Sequence, residues 1–209
     1  MVRMVRRCAP WPAIVVLAAC GLVDAELVDL TFLPTFDVVR TGDQFDVRVY
    51  ATSAGSDPQD VGAIDMILNW DPGVLDLVSG TTAGAGYTWF ISGFLPDQDG
   101  INANLHDGNA LYTVMAQPGN PAYAPPPPGL HVATFRFQAL TTTSGTAVAF
   151  TPILGLYGRT RVLEYEPANS NVTGDISSTA IIKVIQPCSP VVGDVNLCLL
   201  YTSPSPRDS

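Results

Sequence analysis

The chain has 209 residues, 19 acidic against 10 basic, for a net charge of −9 with 47% hydrophobic residues. Such an acidic balance excludes the basic surface that nucleic acids and anionic membranes require of a partner. The N-terminus reads as an export signal: Arg3, Arg6 and Arg7, then the apolar Ala13 to Ala19, then Val23-Asp24-Ala25 with small residues at cleavage spacing. The apolar run is too short to span a bilayer, which takes about 20 residues. Cleavage is expected after Ala25.

Leu17-Ala18-Ala19-Cys20-Gly21 also has the form of a lipobox, with Cys20 as the acylated residue of a lipid anchor. Either processing route places the following domain outside the cytoplasm. From there the pattern is β. Val28 to Leu33 opens it, and Gln44 to Thr52 alternates Phe45, Val47 and Val49 with Asp46, Arg48 and Tyr50. Ile64, Met66, Leu68 and Trp70 alternate with Asp65, Ile67 and Asn69. Further strands are expected over 74–79, 87–94, 100–105 and 110–116. Ala133, Phe135, Phe137 and Ala139 form another alternating set, followed by strands over 146–153, 160–164 and 179–185. Turn signals such as Asp71-Pro72-Gly73 and Asp107-Gly108-Asn109 separate them. The four consecutive prolines Pro125 to Pro128 favour an extended polyproline loop. No stretch holds a helical period. The expected fold is all-β, a jelly-roll β-sandwich of about nine strands.

Few residues point to chemistry. His106 and His131 are the only histidines, with no Gly-x-Ser-x-Gly elbow and no His-Glu-x-x-His motif. The chain is therefore read as non-enzymatic. Asp97 and Asp99, with Asn102, offer hard oxygen ligands at alternating positions for calcium, although a polar turn is the reading the sequence favours. No other cofactor is required. Tyr87 and Trp89 share a strand face and are candidates for stacking on sugar rings, or for the core. Trp70 is expected in the core.

The order of three segments resembles bacterial cohesin domains and related carbohydrate-binding β-sandwich modules. The segments are Val28 to Tyr50 with its Gly-Asp turn, Ile64 to Val78 (IDMILNWDPGVLDLV), and Gly129 to Ala139 (GLHVATFRFQA). The resemblance covers Val28 to Ile185 and places a cohesin-like domain at 26–186. It implies a jelly roll without a catalytic centre. It also implies a partner: a dockerin-bearing protein for cohesins, a polysaccharide for the related modules. A structural surface domain is the third reading.

After a linker, Gly193-Asp194-Val195-Asn196-Leu197 resembles the opening of a dockerin calcium loop, with Asp194 and Asn196 as its first and third ligands. Residues 198–209 (CLLYTSPSPRDS) resemble the translation of a transposase-based sequencing adapter. The loop is then truncated and is not expected to hold calcium, and the natural chain is expected to continue past Leu197. Between Glu26 and Leu197 there are 17 acidic and 6 basic residues, a net charge of −11, and only Cys188 remains, which cannot form an internal disulfide.

Overall fold

The computed structural model describes residues 27–166 and 170–187. The export signal, Cys20, Cys188, Asp194, Asn196 and the adapter-like tail lie outside the described residues. Fifteen strands follow in chain order: β1 (Val28–Pro34), β2 (Val38–Arg40), β3 (Gln44–Ser53), β4 (Gln59–Val61) and β5 (Ala63–Asn69). Next come β6 (Leu75–Thr81), β7 (Ile91–Gly93), β8 (Asn109–Met115), β9 (Ala122–Ala124) and β10 (Leu130–Ala139). The last are β11 (Thr143–Phe150), β12 (Ile153–Leu154), β13 (Gly158–Arg159), β14 (Arg161–Leu163) and β15 (Thr179–Ile185).

Two sheets stack face to face. The four-stranded sheet has the order β1-β3-β10-β6, antiparallel throughout. The seven-stranded sheet runs β2-β15-β11-β5-β8-β7, with β14 also paired to β5. The chain crosses between sheets after Pro34, where Thr35 to Asp37 separate β1 from β2, and β2 pairs with β15 in parallel. The expected jelly-roll sandwich is the fold observed.

The alternation in the sequence is the alternation of burial. Phe45, Val47 and Val49 face inward from β3, and Ala133, Phe135 and Phe137 face inward from β10. Rings join the two sheets. Tyr112 of β8 meets Phe135 of β10 edge-on, with centroids 5.0 Å apart, and Trp70 meets Phe137 edge-on at 5.5 Å. Phe32 stacks on Phe150 at 3.9 Å. Each such ring contributes about 1.5–3 kcal/mol by leaving water. Trp70 is core, as its strand position implies.

Three expectations need correction. Residues 100–105 form no strand; Ile101–Ala103 is a single 3-10 turn. The reason lies in Asp97, whose carboxylate accepts the amides of Ile101 and Asn102 and so caps a turn where a strand would need those donors for a ladder. Between residues 87 and 94 only Ile91–Gly93 pairs, against β8. The proline run is not extended. It bends after β9, with Gly129 at φ 87° donating to the Pro126 carbonyl, because the chain must reverse there to enter β10.

Candidate docking surface

Of the residues singled out as metal or sugar ligands, the described ones, Asp97, Asp99, Asn102, Tyr87 and Trp89, are engaged by the fold. Asp99 accepts backbone amides from Leu156, Tyr157 and Gly158 at 3.0, 2.7 and 2.8 Å. Those hydrogen bonds, from Tyr157 and Gly158 above all, hold its carboxyl below the usual range, with help from Arg159. For Asp97, partial desolvation pushes the carboxyl up, but the backbone donors of the turn outweigh it and the net shift is downward. Asn102 is equally engaged. Its Oδ1 accepts the Leu111 amide at 2.8 Å and its Nδ2 donates to the Leu111 and Leu95 carbonyls. This side chain thereby closes the edge of β8 where β7 stops, which removes an open ladder from solvent. Among the described residues no group of three or more His, Cys, Asp or Glu side chains is placed to hold a metal.

Tyr87 and Trp89 do not form an exposed platform. Trp89 is only 8% exposed, and its Nε1 donates to the Val132 carbonyl at 3.2 Å. Its ring meets that of Tyr87 at 67°, and the Tyr87 hydroxyl bridges Gln117 and Asn120. The histidines sit apart. His106 pairs with Asp76 at 2.6 Å, and His131 bonds the Gly84 carbonyl and Thr134. Glu164 accepts from Gln59.

What the sequence did not single out is the outer face of the seven-stranded sheet. The register aligns Leu163 of β14, Ala63 of β5, Met115 of β8 and Ile91 of β7 in one row across four strands. Met115 is 42% exposed, and the adjoining Phe90 is 62% exposed. A hollow of 460 Å³ lies beside Phe90, Met115, Leu163 and Tyr165. The next row is polar. Arg161 Nε meets Asp65 at 2.8 Å, and the Thr113 hydroxyl donates to the other Asp65 oxygen at 2.7 Å.

Beyond it the face is covered. Ile67 points outward yet is fully buried, because Ile101 and the β12–β13 hairpin close over it. A Cβ on Gly158 would stand 2.5 Å from Ile101 Cδ1, so this position has no room for a side chain. The hairpin pinned by Asp99 carries Leu156 and Tyr157 at its tip, 77% and 64% exposed. The face thus offers an apolar row, a fixed polar row and a raised apolar tip.

Compared with models of known protein families and with curated proteins, the sequence matches none. Solved structures do match. A cohesin module from the family 33 glycoside hydrolase of Clostridium perfringens aligns with a TM-score of 0.57 at 10% identity, over 78% of this chain and 99% of that one. The chain has the cohesin fold. CaCohA2 from Clostridium acetobutylicum aligns at 0.53 with 16% identity, over 78% and 93% of the two chains. A type II cohesin domain from the cellulosome of Acetivibrio cellulolyticus aligns at 0.50 with 12% identity, over 75% and 95%. In each case nearly the whole cohesin is spanned. In this chain the β12–β13 hairpin and the 3-10 turn lie over one sheet of that fold.

Proposed function

We propose that this cohesin-fold domain is a non-catalytic, extracellular docking module that holds a dockerin-bearing protein on the outer face of its seven-stranded sheet. The observation that carries the reading is the apolar row in which exposed Met115 stands between half-buried Leu163, Ala63 and Ile91, next to exposed Phe90, on a fold shared with cohesin modules. Large apolar side chains grouped on a flat, rigid sheet mark a protein contact rather than a small-molecule site. The Arg161–Asp65–Thr113 set supports this role, because its groups are already oriented and lose little freedom on binding. The basic, apolar and small-residue order of the N-terminus supports export.

The test is titration calorimetry of the domain against a panel of purified type I and type II dockerin modules in calcium buffer. At least one is expected to bind in the micromolar range or tighter. Met115→Glu, which puts a charge in the centre of the row, should weaken that complex more than about thirtyfold, as for a central contact residue. Absence of any dockerin complex, or a complex indifferent to Met115→Glu, would overturn the reading.

A further inference from the structure

The opposite face of the sandwich carries a different surface. The outward side chains of β3 and β10 pair across the strands as Tyr50 with His131, Arg48 with Thr134, and Asp46 with Arg136. Together with Ser79 and Thr81 of β6 they floor a groove of 950 Å³, walled by the 83–86 loop on one side and by Tyr123 and Pro125 on the other. That volume lies at the upper end of the range that encloses a ligand of several rings.

Two features define what the groove accepts. The first is charge. Asp46 and Arg136 neutralise each other through a two-pronged contact at 2.7 and 3.0 Å. Arg48 is exposed and helps to lower the Asp46 carboxyl through its charge, but the two-pronged contact belongs to Arg136, so two guanidiniums face one carboxylate and the groove keeps one net positive charge on a domain that is strongly negative overall. A guanidinium in this state matches one carboxylate in two-pronged geometry. The surrounding negative charge disfavours a polyanion. The second feature is the rings. Tyr50 and His131 lie 5.3 Å apart at 33°, and Tyr123 is exposed on the wall. The His131 ring is fixed by Gly84 and Thr134. Partly open rings lining the groove, next to the hydroxyls of Ser79, Thr81 and Thr134, suit the alternating C–H faces and hydroxyls of a pyranose chain.

We infer that this groove is a binding site for an oligosaccharide bearing a sparse carboxylate, a neutral backbone with single uronic acid branches. Arg48 takes the carboxylate, and Tyr50, His131 and Tyr123 take the sugar faces. The site is separate from the protein-docking face and does not depend on it.

The experiment compares two probes by NMR titration of the domain: xylotriose carrying one glucuronic acid, and neutral xylotetraose. The acidic probe is expected to bind with shifts confined to residues of the groove, and at least about tenfold more tightly than the neutral one. Arg48→Gln should remove that preference, and 0.5 M salt should weaken only the acidic probe. Tyr50→Ala should weaken both. Arg48 is exposed, so an unchanged melting temperature for Arg48→Gln verifies that the fold is intact. Equal affinity for the two probes, an Arg48→Gln variant that keeps the preference, or no binding of either probe would each overturn the inference. None of these outcomes bears on dockerin binding at the other face.

Discussion

Asp99 acts as a backbone acceptor for the hairpin that stands over the seven-stranded sheet. Three amides from Leu156 to Gly158 converge on its two oxygens, and a Cβ on Gly155 would collide with its side chain. The folded state therefore favours the carboxylate, and its pKa lies below the value in the unfolded chain, about 3.9. The linkage follows from that direction. The contribution of Asp99 to stability is fully present above the unfolded value and is lost as pH falls through the folded one. The amide resonances of Tyr157 and Gly158 should accordingly titrate with a midpoint below about 3.9. Asp99→Asn, which keeps an oxygen but not the charge, should abolish that transition and speed hydrogen exchange at 156–158. A midpoint at or above the unfolded value would show that the three amides do not hold the charged form. Asp97 is bound by the same rule at the 3-10 turn. An Asp-Gln-Asp-Gly sequence is legible as a set of oxygens. Whether those oxygens face a cation or the protein's own amides depends on a hairpin more than fifty positions away, which no local pattern encodes.

At the scale of the element, the entry into β10 is closely confined by β3. Gly129 takes φ 87°, and a Cβ there would meet the Ala51 carbonyl oxygen at 2.9 Å and press on Thr52 Oγ1. Gly119 has a similar φ of 76° with nothing within 4 Å. The pair separates strain from collision. Gly119→Ala should destabilise by about 1 kcal/mol, the cost of the left-handed backbone alone. Gly129→Ala should lose about 2–4 kcal/mol, because β3 must also shift. Urea midpoints of the two variants check this, and equal losses would mean that β3 yields freely. The long elements around this turn were readable from the sequence, since Phe45 to Val49 and Ala133 to Ala139 alternate without interruption and each buries one face. The short ones were not. β4, β9, β12 and β13 hold two or three residues each: β4 and β9 pair only with each other from opposite halves of the chain, and β12 with β13 form a hairpin too short to show an alternation. The docking row is a similar case. Met115 sits in a strand that the sequence reveals, but its neighbours Ala63 and Leu163 come into line only through register. Ile67 looks like part of the same outward row and is buried by a hairpin.

The whole molecule places two unlike surfaces on opposite sides of one close-packed core. Sheets in a sandwich lie about 10 Å apart, and here the space is filled by ring contacts such as Tyr112 with Phe135 and Trp70 with Phe137. Coupling between the two outer faces would need an element with two alternative arrangements. The interlocked rings instead hold both sheets in one register, and Met115 and Arg48 share no partner. Effects at the two faces should therefore be independent. The stability changes of Met115→Glu and Arg48→Gln should add in the double variant to within about 0.5 kcal/mol. In amide spectra, each substitution should perturb residues of its own sheet and leave the outer strands of the other unmoved. Non-additivity beyond that margin would mean that the core transmits strain from one sheet to the other. The domain would then report occupancy of one face at the other, instead of joining a protein partner and an acidic glycan as two separate ligands on a rigid spacer.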